Sequence, residues 1–277
     1  MIQIAEQVLA ASVVLATPIL LAAIGGLVNR QGGIVNIALE AKMLAGAFVA
    51  VVVSSATGSW LVAVLAAAIV SAAIGYLFSL TITRARANMI IAGLGLNVLV
   101  AGFVGFIMNV GFDASGTLRM PDVELLPKLL PGSVAALPLV GEALADLDPL
   151  TVFAWLSVAA LPFLLANTRL GLRLRAVGEN PNAVDTAGIS VARLRYSAVL
   201  CDGVLCGFAG TYLSIAQNAA FVREMTAGQG YIALAALIFG KWRPVPAMLA
   251  CLMFGFLDAI AIRLQGVVVP VIGPIPV

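Results

Sequence analysis

The stretch MIIAGLGLNVLVAGFVGFIMNV, residues 89–110, has no charged side chain and decides the fold class. A helix needs about 20 predominantly apolar residues to cross the hydrocarbon core of a bilayer. A helix also pairs its backbone groups internally, whereas an isolated strand in lipid leaves them unpaired. Residues 89–110 are therefore predicted to form a transmembrane helix.

The rest of the chain repeats this pattern. Of its 277 residues, 62% are hydrophobic and 10% are charged, and the mean hydropathy is +1.11. Soluble domains contain roughly 25% charged residues. Further apolar runs cover 8–28, 34–53, 60–80, 150–165, 194–213 and 246–264, and a shorter one covers 227–239. The sequence predicts an all-α polytopic membrane protein with about eight membrane helices, one of them short, in a single domain, residues 1–277.

The loops between these runs differ in charge, which predicts their orientation. Lys and Arg are enriched in short loops on the cytoplasmic side. Segment 166–196 contains five arginines, whereas the longer loop 111–150 contains only Arg119 and Lys128 as basic residues. We therefore expect 166–196 to be cytoplasmic, and 111–150 and the N-terminus to be outside, in a bacterial inner membrane. A short interfacial helix is expected near 141–145.

Several classes of chemistry are missing from the sequence. It has no phosphate-binding GxxxxGK[ST] loop, so ATP binding by that route is not expected. It has no histidine, which excludes a Ser-His-Asp triad and the HExxH zinc motif. The three cysteines lie within apolar runs and lack the spacing of a metal site. We expect no nucleic acid partner, no cofactor on this chain, and a function in transport without catalysis by the chain itself.

One polar segment contains signals for a short helix outside the membrane. Asn180 is a suitable N-cap, Pro181 fits the first helical turn, and Gly188 fits a left-handed C-cap. The other candidate positions in this helix are Asn182, Ala183, Asp185 and Ala187. The residues alone leave two interpretations open: an ordinary charged loop, or a rigid helix that docks into a cytoplasmic partner.

Four stretches together resemble a known family. They are GIVNIALE (33–40), RLRAVGENPNAVDTAGI (173–189), MTAGQGYIALAALIFGKW (225–242) and FGFLDAIAIRLQ (254–265). The chain resembles ABC-type permeases that import nucleosides, branched-chain amino acids and simple sugars. The last two stretches resemble the nucleoside branch in particular. Segment 173–189 is similar to the part of these permeases that contains the coupling helix.

This resemblance implies a fold and a set of partners. The fold would be that of a type II ABC importer, with one further membrane helix after Val277. Two permease chains, different from each other in the nucleoside branch, would each rest on a cytoplasmic ATPase subunit that binds ATP and Mg. This chain looks like the second permease of such a pair, with 166–193 as its coupling segment. An extracytoplasmic binding protein would deliver a nucleoside to the outer loops.

Two alternatives to a nucleoside importer are open. The solute of the same kind of permease is a simple sugar or a branched-chain amino acid in other branches of the family. Secondary transporters driven by an ion gradient also contain short or broken helices near the membrane midplane. The short run 227–239 is compatible with that class, whereas the absence of histidine weighs mildly against a proton relay.

Polar residues at membrane depth are the candidates for the translocation path. Asn36 and Glu40 are four residues apart in the predicted helix 34–53, so they would share a face and line the path. The interpretation we favour for Glu40 is an ion pair with Lys42 or Arg30, which are close in sequence. Asn97 lies on a ridge of small residues, which permit close contact between helices. Its role is therefore either in helix packing or in solute binding.

Three more ionisable groups lie within apolar runs. Asp202 occupies a position where the resemblance leads us to expect a small neutral residue, which puts the packing of its helix in question. Asp258 and Arg263 are expected to neutralise each other or partners on nearby helices, because unpaired charges at membrane depth are costly.

Overall fold

The computed structural model describes residues 2–129, 147–265, 268–269 and 273–274. The helix expected near 141–145 lies outside the described residues. The described helices are α1 (Ile2–Gln31), α2 (Leu39–Thr57), α3 (Trp60–Thr83), α4 (Met89–Phe112), α5 (Pro149–Asn167), α6 (Arg169–Glu179), α7 (Pro181–Thr186), α8 (Val191–Thr211), α9 (Gln229–Phe239) and α10 (Pro244–Leu264).

The predicted membrane helices are confirmed in number and order. Within the described residues, seven helices are long and apolar enough to cross a bilayer, and α9 is the shorter apolar helix. The α8 helix continues into a π-helical segment, Tyr212–Asn218, so this span is longer than predicted. The chain is therefore a multi-pass membrane protein.

The centre of the bundle is α8, which packs against α1, α2 and α3. Small residues on α8 permit close approach of these helices. A Cβ atom at Gly203 would lie 2.6 Å from Ala72 Cα, and one at Gly207 would lie 2.8 Å from Ala68 Cα. Gly203 and Gly207 therefore form a close contact between α8 and α3.

The second membrane helix begins later than predicted. The sequence predicts a helix over 34–53, but α2 begins at Leu39, and Ile34 and Asn36 lie in a non-helical segment. Hydropathy does not distinguish a buried extended segment from a helix. Irregular backbone at membrane depth is tolerated where protein surrounds it. Ile34 and Asn36 are both buried, which meets this condition.

Two short antiparallel ladders join parts of the chain outside the helices. Strand β1 (Thr117–Leu118) pairs with β2 (Phe221–Val222), which lies between the π-helical segment and α9. This ladder fixes the loop after α4 to the segment that leads into α9. Strands β3 (Val268–Val269) and β4 (Gly273–Pro274) pair after α10.

Large apolar side chains on the outer helices remain exposed. On α4, Val98 is 75% exposed and Ile91 is 72% exposed. Such exposure is ordinary for a surface that faces lipid or another membrane subunit, because no water contacts it there.

Candidate functional site

Two helices begin next to each other inside the bundle, at the first turns of α2 and α9. Neither N-cap residue, Ala38 or Gly228, provides a side-chain hydrogen bond to its own helix. The first N–H groups of a helix lack intrahelical partners and need acceptors from elsewhere. In both cases the acceptor is a polar side chain on a neighbouring helix.

Glu40 supplies the acceptors for α9. Its two carboxylate oxygens accept hydrogen bonds from Gly228 N at 2.9 Å and from Gly230 N at 2.7 Å. A Cβ atom at residue 230 would lie 2.5 Å from Glu40 N, so only glycine permits this approach. A carboxylate at a helix N-terminus also interacts favourably with the helix dipole.

The expected pairing of Glu40 with Lys42 or Arg30 is wrong. Lys42 pairs with Asp202, and the Arg30 guanidinium lies over the Trp242 ring, 5.3 Å from its centroid. Residues two apart on a helix do not face each other. In the first turn of α2, Glu40 contacts α9 whereas Lys42 contacts α8.

Asn97 supplies the corresponding contacts for α2. Its Oδ1 accepts from Ala41 N at 3.0 Å, and its Nδ2 donates to Ile37 O at 3.0 Å. The same Nδ2 donates to the Tyr231 hydroxyl at 2.8 Å. One turn earlier, a Cβ atom at Gly93 would lie 3.1 Å from Ile37, so α4 packs closely on the segment before α2. Asn97 therefore combines a packing position with a specific polar role.

The prediction that Asn36 and Glu40 share a helix face is wrong, because the backbone before Leu39 is not helical. Its Nδ2 donates to Asp202 Oδ2 at 2.7 Å, and its Oδ1 accepts from Ala38 N at 2.9 Å. Asn36 is buried against α8, whereas Glu40 faces α9. The structure thus separates the predicted pair, and Asn36 supports the backbone of the segment before α2.

Lys42 and Asp202 form an ion pair in which both side chains are fully buried. Cys206 Sγ lies 3.4 Å from the other Asp202 oxygen. Asp202 is therefore matched by a lysine on α2 and packs without an unpaired charge. Sequence reasoning missed the pair because the two residues are 160 positions apart.

Asp258 and Arg263 do not pair with each other. Arg263 donates to the side-chain oxygen of Gln7 on α1, and no ion pair of Asp258 is recorded in the described regions. Residues five apart on a helix do not face each other, unlike residues three or four apart.

A cavity of about 600 Å³ opens beside the two helix starts. Its lining includes Glu40, Asn97, Thr226, Tyr231, Arg223 and Glu224. A Cβ atom at Gly105 would lie 3.8 Å from the Arg223 guanidinium. Gly105 is eight residues after Asn97 on α4, about 12 Å along the helix. The cavity therefore extends from the level of β2 down to the middle of α4, with Asn97 and Glu40 at its inner end.

The predicted short helix outside the membrane is confirmed as α7. Asn180 Oδ1 accepts from Ala183 N at 3.1 Å, Pro181 is the first helical residue, and Gly188 has a φ of +77°. The helix ends at Thr186, with Ala187 as its C-cap, one residue earlier than predicted. Val184 is buried, whereas the remaining candidate positions Asn182, Ala183, Asp185, Ala187 and Gly188 are exposed.

A helix that the sequence analysis did not identify, α6, precedes α7. Its buried residues Gly171, Leu174 and Val177 recur every three positions, and Thr168 caps it by accepting from Gly171 N. This spacing was a usable signal in the arginine-rich segment. A Cβ atom at Gly178 would collide with the backbone carbonyl of Gln31, so the end of α6 packs directly on the end of α1.

Residues 8–272 match the family model for the permease component of the branched-chain amino acid transport system. The chain belongs to this permease family. No solved structure matches the chain.

Several curated relatives of this permease are similar over most of their length. The nucleoside ABC transporter permease protein NupC of Lactococcus lactis is 35% identical over 93% of this chain and 82% of its own. The guanosine ABC transporter permease protein NupQ of Bacillus subtilis is 34% identical over 99% and 87%. The putative glucose ABC transporter permease protein TsgC13 of Haloferax volcanii is 33% identical over 94% and 78%.

In this permease, both flanks of α7 contact the segment between α1 and α2. On one side, the end of α6 packs on Gln31 and Gly33 through Gly178. On the other side, Asp202 of α8 binds Asn36 and Lys42. The first turn of α2 also carries Glu40, which lines the cavity. Residues 31–42 therefore connect the α7 region with the cavity through contiguous contacts.

Proposed function

We propose that this chain is a membrane-spanning subunit of an ATP-driven importer of nucleosides. The observation that carries the proposal is the cavity at the N-terminal ends of α2 and α9, where Glu40, Asn97 and Tyr231 contribute polar side chains, in a chain whose relatives include permeases named for nucleosides. In other transporters, helix N-termini that lie at mid-depth in the membrane form part of the solute site. Polar atoms placed there can replace the water that a nucleoside loses on entry.

The energy for transport comes from a partner. The cytoplasmic ATPase subunit binds ATP and Mg, and this chain has neither a cofactor nor an enzymatic activity of its own. Exposed Ala183 and Ala187, beside the buried anchor Val184, support docking of α7 into that subunit. Segment 166–193 is the cytoplasmic coupling segment in this proposal, and 111–150 is the extracytoplasmic loop of the single domain 1–277.

Three further partners complete the transporter. A second, different permease chain pairs with this one in the bacterial inner membrane, with the N-terminus outside. An extracytoplasmic binding protein delivers the solute to the end of the cavity at Arg223. Lipids contact the exposed apolar surface of the outer helices. Glu40 and Asn97 line the path of the solute, and Asn36 supports them from behind.

Uptake by the complete complex tests this proposal. Proteoliposomes contain both permeases and the ATPase, and the binding protein is added. Uptake of radiolabelled uridine, adenosine, D-glucose or L-leucine is measured with and without ATP on the side of the membrane where the ATPase lies. We expect uptake of nucleosides that requires ATP. Uptake of D-glucose alone would assign to the chain the sugar for which the Haloferax relative is named. Nucleoside uptake by this chain alone, driven by an ion gradient, would establish a secondary transporter.

A further inference from the structure

We infer that the Tyr231 hydroxyl binds the solute as a hydrogen-bond donor, and that Asn97 fixes this direction. The inference rests on the proposed function for the identity of the solute. It is carried by the contacts of Asn97 and Tyr231, whose side chains both line the cavity.

The orientation of the Asn97 carboxamide follows from its backbone partners. Ala41 N can only donate a hydrogen bond, so the Asn97 atom 3.0 Å from it must be the oxygen. Ile37 O can only accept, so the Asn97 atom 3.0 Å from it must be the nitrogen. A flipped amide would place oxygen against oxygen and nitrogen against nitrogen. The two backbone groups therefore determine which Asn97 atom faces Tyr231.

The atom that faces Tyr231 is Nδ2, at 2.8 Å. An amide nitrogen has two hydrogens and no free acceptor site, so the phenolic oxygen must accept this bond. The hydroxyl hydrogen of Tyr231 must then point elsewhere. Within the residues that the structure describes, no acceptor for that hydrogen is recorded. Tyr231 is 41% exposed and borders the cavity, so the free hydrogen is available to a solute.

Glu40 provides the complementary group at the same cavity. Each carboxylate oxygen accepts one backbone N–H, from Gly228 or Gly230, and each oxygen can accept a further hydrogen bond. The cavity thus offers a fixed donor and a fixed acceptor. A nucleoside has ribose hydroxyls that donate to a carboxylate and base carbonyl or ring nitrogen atoms that accept from a phenol. The Tyr231 hydroxyl therefore donates a hydrogen bond to an acceptor atom of the solute.

The test uses the complete complex and the Tyr231→Phe variant, which removes only the hydroxyl. We expect uridine and adenosine uptake at saturating binding protein to fall about five- to tenfold, the size typical of one lost hydrogen bond. Tyr76→Phe is the matched control, because Tyr76 has a similar exposure of 45% and packs on Tyr196 away from this cavity. Its uptake should equal that of the wild type.

The role of Asn97 is tested by a double-mutant cycle. In Asn97→Asp, the carboxylate accepts from the Tyr231 hydroxyl and turns its hydrogen away from the solute. Uptake should fall as in Tyr231→Phe, and the double variant should be no worse than Asn97→Asp alone, since the same donor is lost. The lost bond to Ile37 O is common to both Asn97→Asp variants and cancels in the cycle. If Asn97 had only a structural role that does not involve Tyr231, the uptake losses of the two single variants would add in the double variant.

The possible outcomes separate this inference from the proposed function. Unchanged nucleoside uptake by Tyr231→Phe, with the wild type active, overturns the inference and leaves the proposed function intact. If the wild-type complex carries D-glucose and no nucleoside, the proposed function fails. The same variants measured with D-glucose then decide the inference, because a sugar hydroxyl also accepts from a phenol.

Discussion

At the scale of single residues, the most consequential feature is the buried pair Lys42–Asp202. Both charges lie between α2 and α8 without solvent contact, and Asn36 completes the cluster. The attraction between two buried charges roughly offsets the cost of removing them from water. A buried pair therefore adds little net stability, but removal of one partner leaves an uncompensated charge. Each member thus depends on the other.

Removal of Asp202 should destabilise the protein strongly. For Asp202→Ala we expect a loss of about 3–5 kcal/mol, because Lys42 is left charged and unpaired inside the bundle. The double variant Lys42→Met with Asp202→Ala removes both charges and should be more stable than either single variant. Thermal unfolding of the purified chains in detergent measures this order. A double variant whose loss equals the sum of the single losses would contradict the pairing.

At the scale of elements, α7 and its neighbours α6 and α8 form one structural unit in the segment that we propose to couple the chain to the ATPase. Local signals create α7, since Asn180 caps its start and Gly188 takes the left-handed conformation at its end. Tertiary contacts hold its flanks, since α6 packs on α1 and α8 lies at the centre of the bundle. A displacement of α7 would therefore be passed to residues 31–42.

The variant Ala183→Arg should separate assembly from insertion. Ala183 is exposed on α7, so the arginine fits the isolated permease, and its folding should be unaffected. In the proposed contact with the ATPase, a buried unpaired charge costs several kcal/mol. We expect copurification of the ATPase and ATP-dependent uptake to be lost. Ala87→Arg, at an exposed alanine between α3 and α4, is the control and should retain both. Normal transport by Ala183→Arg would remove α7 from the mechanism.

The variant Gly178→Ala tests the contact between α6 and α1. The new methyl group would collide with the Gln31 carbonyl, so α6 must shift. We expect destabilisation of about 1–3 kcal/mol, as for other overpacked contacts, and lower uptake per ATP hydrolysed. Gly95→Ala on α4 is the control, because a Cβ atom there meets nothing within 4 Å. Equal unfolding temperatures and equal coupling for the two variants would exclude a tight contact at Gly178.

At the scale of the whole molecule, the contacts define two opposite ends. The ladder between Thr117 and Val222 ties the loop after α4 to the segment after α8. At the other end of α8, segment 166–193 meets the end of α1. Arg169, Arg173, Arg175 and Arg193 lie at the second end, which is the end that we predict to be cytoplasmic. The cavity opens toward the first end and the α7 region lies at the second.

Cysteine labelling tests the orientation of these ends. In a background without Cys201, Cys206 and Cys251, single cysteines replace Ser115 or Asn182, both of which are exposed. We expect an impermeant maleimide to label residue 115 in intact cells, and residue 182 only after the membrane is opened. The reverse pattern would show that the orientation is inverted.

The number and order of the membrane helices and the start of α7 follow from the sequence alone. These features depend on local patterns: an apolar run such as 89–110 has one stable state in lipid, and Asn180 and Gly188 act on neighbouring backbone groups. Only the tertiary structure decided the start of α2, the partners of Glu40 and the pairing of Lys42 with Asp202. Glu40 meets its partner Gly228 across 188 positions. Hydropathy indicates whether a segment lies in lipid or in water, whereas these contacts depend on which helices pack together.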